Sequence, residues 1–261
     1  MRDSHRCGPA RVPWNAAVAT ALVVLAGGGA TVAPPARAAV PTGVPVFTNP
    51  MQIDNAYFPI VPGAIKVYLG REDGRRVTLV VTHLTETREF QWDGDTVTCR
   101  IVQEHKFIAG RLVEENLGFF AQSDDGGVRG FGEVEDGPSP DDEPGEPNGW
   151  IVGQLAPTDP PSTVSVADPS LFMPANPEVG DIWDSESAGP QDSEQFQVTS
   201  ASTRVRVQGA RLRNTLRIRA TSPDERGGEN LWFARDVGLV KSAERGSRLR
   251  LNATTLGRRT R

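Results

Sequence analysis

Apolar residues recur at every second position over much of the chain, and no stretch within residues 40–261 sustains a helical period. Val77, Leu79 and Val81 alternate with Thr78, Val80 and Thr82, and Phe90-Gln91-Trp92 runs into Asp93-Gly94, a hairpin turn signal. Residues 97–107 form the next predicted strand. Ala109-Gly110 lies in its return, and residues 112–121 run back. Asp124-Asp125-Gly126-Gly127 separates that strand from another over 128–131. After a turn-rich connector over 168–179, the pattern predicts strands over 182–183, 195–198, 205–207, 211–220, 231–233 and 238–243. The clearest is 211–220: Leu212, Asn214, Leu216, Ile218 and Ala220 share one parity, and Arg211, Arg213, Thr215, Arg217 and Arg219 share the other. The fold class expected is mainly β, an antiparallel sheet packed on one face. Strong curvature or partial barrel closure would limit its exposed edges.

Composition and charge narrow this picture. The 261 residues are enough for one generous core or two modest ones, and their 27 glycines and 21 prolines suit many turns and short elements. Arg2, Arg6 and Arg11 precede an apolar run over 16–26, and Ala36 and Ala38 flank a cleavage point before Ala39, so residues 1–38 read as a secretory signal peptide. The apolar run is short for a membrane span, and no cysteine follows as a lipid anchor, so the expected product is secreted or extracytoplasmic with no stable membrane span after cleavage. Removing that segment takes four arginines and one aspartate, leaving 24 basic and 32 acidic groups over residues 39–261, a formal charge of -8. Bulk attraction to nucleic acid or anionic lipid is thereby disfavoured. Cys7 leaves with the signal, so Cys99 stands alone; it shares parity with Val97 and Ile101 and reads as a buried small hydrophobe. Residues 39–261 are expected to form a single β-rich domain. It carries an exposed acidic, proline-rich loop near 133–149 and a basic tail, Arg258-Arg259-Thr260-Arg261.

Candidate chemistry is sparse. The segment 39–261 holds two histidines, His83 and His105. His83 continues the parity of Val77, Leu79 and Val81, His105 that of Val97, Cys99 and Ile101, and Glu115 that of Val113, Leu117 and Phe119. Without bulges all three point to the apolar side, where His83, His105 and Glu115 could hold a divalent metal or supply a general base. The competing reading is a hydrogen-bonded polar cluster in a cavity wall. The same cavity could take an apolar small molecule, with Trp92, Phe107 and Phe119 as its lining. The arginines of residues 204–219 offer either a solvated face or an anion site or protein-binding surface. No nucleophile elbow, phosphate-binding loop or paired-cysteine motif occurs.

Several segments together resemble an uncharacterised family of exported bacterial β-rich proteins, found as lipoproteins or secreted proteins. They are Asn55-Ala56-Tyr57-Phe58-Pro59-Ile60-Val61-Pro62-Gly63, Gly110-Arg111-Leu112-Val113-Glu114-Glu115 with Phe119-Phe120-Ala121-Gln122, Phe131-Gly132-Glu133, Phe172-Met173-Pro174-Ala175-Asn176-Pro177-Glu178-Val179-Gly180-Asp181, and Phe233-Ala234-Arg235-Asp236-Val237-Gly238-Leu239-Val240-Lys241. The resemblance implies a secreted, mostly antiparallel β protein related in shape to curved-sheet lipoprotein carriers, and supplies no reaction. The chain departs from the lipoprotein members in lacking the anchoring cysteine, and Ile65-Lys66-Val67-Tyr68 stands where a tryptophan-containing strand is expected. The reading that follows is an exported non-catalytic binding or structural protein, its partner an apolar small molecule or an envelope protein. The alternative is a metal-dependent hydrolase or oxidoreductase built on His83, His105 and Glu115. No cofactor follows from the sequence other than that divalent metal.

Overall fold

The computed structural model describes residue 40 and residues 43–135, 149–186, 194–222 and 228–256. The signal segment, the basic tail and most of the acidic loop lie outside these residues. Fourteen strands follow one another: β1 (Ile65–Glu72), β2 (Arg75–Trp92), β3 (Asp95–Ile108), β4 (Arg111–Gln122), β5 (Val128–Glu135), β6 (Gly149–Val152), β7 (Val164–Val166), β8 (Ser170–Met173), β9 (Ile182–Glu186), β10 (Glu194–Val207), β11 (Ala210–Thr221), β12 (Glu229–Ala234), β13 (Gly238–Ala243) and β14 (Ser247–Thr254). No helix occurs among the described residues. The strands form one sheet in the order β7-β6-β5-β4-β3-β2-β1-β14-β13-β12-β11-β10-β9, and β8 pairs with β5 off that path. Pairing is antiparallel except between β6 and β7. The two ends of the path do not pair, so the sheet is open.

Its curvature follows from one phenylalanine. The ring of Phe172 on β8 lies 5.3 Å from Phe120 of β4 and 6.2 Å from Phe196 of β10. Those strands stand eight places apart in the sheet, about 38 Å if it were flat. The sheet must therefore curl around β8. Leu171, Phe172 and Met173, with Ile53, Phe58 and Ile60 from the lead-in, fill the inner face and complete one large core with Trp183, Phe196, Leu216, Ile218, Phe233 and Leu251. A connector by its turn residues, the segment around Leu171-Phe172-Met173 is instead the plug of the curved sheet.

A second core sits on the opposite face of the same central strands. Val97, Cys99, Phe119 and Ala121 pack there with Phe90, Phe131, Ile151 and Val152. A Cβ on Gly153, just past β6, would stand 2.7 Å from the Gln91 carbonyl oxygen, so the chain after β6 returns against β2 around this core. Arg88 closes it, gripping Asp159 through two hydrogen bonds of 2.6 and 2.8 Å and lying over the rings of Phe90 and Phe119. Long strands that bury one face at one end and the other face at the other end explain why parity alone names no single core side.

Three local readings change. Glu133, Val134 and Glu135, assigned to the acidic loop, belong to β5, and Gly149 opens β6. Asn214 has a positive φ of 53° at an irregularity in the β10–β11 register, which exposes Asn214 and turns Thr215 into the interior, where its hydroxyl meets that of Thr203 at 2.5 Å. The run 247–254, with Leu249 and Leu251 inward and Arg248 and Arg250 outward, forms β14, the strand joining the two halves of the sheet.

Candidate functional site

The three proposed metal ligands do not converge. His105 and Glu115 are direct cross-strand partners on β3 and β4, with Nε2 and Oε1 3.1 Å apart, half-exposed, and Gln103 donates to the same carboxylate at 2.8 Å. His83 pairs with Val102, whose side chain is one residue out of phase with Gln103 and His105, so it faces the other side of the sheet. There its ring is buried; Nδ1 accepts the Val61 amide at 3.0 Å, and its backbone bonds with Gly63 and Ala64. Burial, followed by the charge of Lys66, lowers the His83 pKa to about 3, which keeps the ring a neutral acceptor. Among the described residues no three His, Cys, Asp or Glu side chains gather as a metal-holding group. His83 is thus a structural pin for the 61–64 turn, and His105 with Glu115 a surface pair.

The expected apolar lining is also dispersed. Trp92 and Phe119 belong to the second core, around Phe131 and Phe90, and fill it rather than line a space. Phe107 stands near the far end of β3, half-buried beside His105. Cys99 is fully buried and free, and burial holds its thiol pKa well above the ordinary value.

A different constellation occupies the inner face. Cross-strand register puts Lys66, Tyr68 and Glu72 of β1, Val81 and His83 of β2, Glu104 and Lys106 of β3, Glu114 and Asn116 of β4 and Glu133 of β5 on one side. Lys66, Glu72, Glu104, Lys106 and Asn116 are all buried. Lys106 bridges Glu72 at 3.1 Å and Glu114 at 3.6 Å. Asn116 donates to Glu133. Glu104, Asn116 and Glu133 then line, with Val102, Gly118, Phe120 and Phe172, an enclosed space under β8. Its free room is ≈ 10 Å³ for the centre of a water-sized sphere, about what one water needs.

The electrostatics are those of crowded, desolvated carboxylates. Burial raises the Glu104 pKa well above the usual range, and Glu133 and Glu114 raise it further against the pull of Lys66. Burial lifts Glu114 to about 7, which Lys106 opposes and Glu135 and Glu133 reinforce. Lys66 falls to about 8 through burial, opposed by Glu104. On this face three buried side-chain oxygens find no hydrogen-bond partner among the described residues: Glu72 Oε1, Glu104 Oε1 and Asn116 Oδ1. A buried acceptor left unmatched costs about 1–3 kcal/mol, so the arrangement favours occupants that donate N–H or O–H groups.

The sequence carried a signal for these residues in Val102-Glu104-Lys106-Ile108, whose polar pair is bracketed by apolar residues of the same parity. The odd-numbered face of the same strand was the more apolar at its start and masked it.

Four of the segments quoted for the family resemblance, those holding Asn55, Gln122, Pro174 and Asp236, meet in the fold. Asn55 takes Gln122 Oε1 on its amide, donates to the carbonyls of Gly126 and Pro174, and accepts the amides of Tyr57 and Phe58. Asp236 donates its amide to Ala56 O, and Arg235 lies over the Tyr57 ring. Tyr68 reaches across to the Leu239 carbonyl at 2.9 Å. The motifs clasp the lead-in, the β4–β5 turn, the end of β8 and the β12–β13 turn together. Against known proteins, no family model, no curated protein and no solved structure matches the chain.

Proposed function

We propose that the protein is an exported, non-catalytic binding protein whose ligand lies on the inner face of β3–β5 in place of β8. The observation that carries this reading is the pair of unmatched buried acceptors, Glu104 Oε1 and Asn116 Oδ1, beside Phe120 and Phe172 in one enclosed space. The apolar ligand expected from sequence becomes an amphiphile, with an apolar body against Phe120 and amine or hydroxyl donors toward Glu104 and Asn116. The described arrangement corresponds to the closed state. β8 is four residues long, and among the described residues β5 is its one strand-pairing partner, the rest of its hold being side-chain packing in the core. Withdrawing Leu171, Phe172 and Met173 would expose apolar surface worth on the order of 5–9 kcal/mol, which a ligand body of similar size would have to cover.

The test uses the secreted protein and native mass spectrometry. Gly130 and Ser170 are cross-strand partners between β5 and β8, a spacing suited to a disulfide in the double variant G130C/S170C. The expected result is a co-purifying small molecule on the wild type and on the reduced variant, absent from the variant oxidised before loading. A polypeptide mass alone in every preparation, or equal loading with β8 locked, would refute the reading.

A further inference from the structure

The net negative charge of the chain hides a strongly basic band on the outer face. Arg71 lies across from Arg76 on one side and Arg248 on the other. One step along the strands, Arg250 faces Lys241, Lys241 faces Trp232, and Trp232 faces Arg217. Cross-strand partners project from the same side of a sheet. Six cations thus run across β2, β1, β14, β13, β12 and β11, a band about 24 Å long and two residues, about 7 Å, wide.

The band is built of poorly neutralised charge. Among the described residues none of the six takes part in an ion pair. Lys241 sits 3.4 Å above the Trp232 ring, and partial burial, then Arg250, Arg248 and Arg217, push its pKa down. Arg71, Arg248 and Arg250 also line a shallow groove of ≈ 690 Å³ with Leu69, Gly70 and Gly246, where Glu244 is the lining carboxylate. Leu69 is 45% exposed on the same side, beside Arg250.

We infer that this band binds an extended phosphodiester polymer, a chain of the poly(glycerol phosphate) type laid across the strands. Guanidinium forks match phosphate oxygens, and regular cross-strand spacing presents them in line. A narrow band with a groove fits a single polymer chain better than a bilayer, which would call for cations spread in two dimensions. Clustering explains why the overall charge gives the opposite expectation: attraction at contact range follows local charge, because salt screens the rest of the molecule beyond about 8–10 Å.

The test is calorimetric titration of the protein with a synthetic glycerol-phosphate decamer over a series of salt concentrations. Full engagement of six cations should give a slope of log K against log salt near -4, taking about -0.7 per phosphate on a flexible chain. The triple variant R76Q/R248Q/R250Q, at exposed positions, should bind at least about tenfold more weakly at low salt and cut the slope to about -2. The variant R111Q/R204Q/R213Q removes the same charge elsewhere and should retain wild-type affinity, with both variants unfolding at the wild-type midpoint. Equal loss in the two variants, a salt-independent affinity, or tighter capture by phosphatidylglycerol vesicles than by the decamer would each overturn the inference.

Discussion

His83 offers the sharpest test of the inner face because its environment fixes both the sign and the size of a pH effect. The ring is 2% exposed, accepts a hydrogen bond from Val61 N–H, and faces Lys66. Protonating Nδ1 would set two donors against each other and place a second cation beside the lysine. The folded-state pKa is therefore about 3, against an ordinary 6.5 in the unfolded chain. As pH falls below 6.5 the unfolded chain takes up a proton that the folded chain refuses, so stability is full above 6.5 and drains away down to pH 3. At 1.36 kcal/mol per unit, the loss between pH 7 and pH 4 comes to about 3 kcal/mol. Carboxylates titrate in the same range, so the informative quantity is the difference from His83→Gln, which keeps an acceptor for Val61 and cannot ionise. Urea unfolding followed by tryptophan fluorescence at pH 7, 6, 5 and 4 should show the wild type the more stable at pH 7. The gap should close and then reverse, with a total relative change of about 3 kcal/mol. Parallel curves, or an imidazole that titrates near its ordinary pKa in the folded protein, would refute the placement of this side chain.

Two further outcomes are expected of the segment 39–261, in which Cys99 is the sole cysteine. Its thiol, fully buried and held protonated, should react with a thiol reagent only after guanidinium unfolds the chain; rapid labelling of the native protein would contradict its burial. Tyr68→Phe should cost about 1–3 kcal/mol by urea unfolding, because it strands the Leu239 carbonyl in the interior. A loss below roughly 0.5 kcal/mol would mean that this carbonyl finds another partner.

Alternation made the sheet legible, and it did so where strands have one buried face. The run 211–220 read correctly except at Asn214 and Thr215, where the left-handed backbone of Asn214 inverts the local parity. Such a bulge is set by pairing with β10 and leaves little trace in one strand alone. The site was less legible, because β3 buries odd residues at its start and even ones at its end. His105 appeared inward by continuity with Val97 and Cys99, yet Glu104 and Lys106 are the buried pair. Which face a long strand buries depends on what lies over it, and here the cover is β8 and the lead-in around Phe58, remote in sequence from β3. β8 itself was hidden by its brevity and its following proline, since four residues show no period.

The inner-face charges oppose the demands of a stable core. Lys106, between Glu72 and Glu114, has been taken from water with both carboxylates, and such buried arrangements gain little or nothing over well-packed apolar side chains of the same volume. The neighbouring half of the same face shows the apolar solution in use, with Leu216, Ile218, Phe233 and Leu251 filling equivalent inward positions. Glu104 and Asn116 line the space against Phe172 with one oxygen each unpartnered among the described residues. Buried charges are concentrated on β1 to β4 of that face, at Lys66, Glu72, Glu104 and Lys106, while the half from β10 to β13 carries fewer, Glu194 and Glu229 with Ser242, and Glu104 and Asn116 lie beside the short plug β8. The proposed binding of a donor-bearing molecule would use those acceptors, and replacing both by apolar side chains of similar volume should then stabilise the unliganded protein while removing the bound molecule.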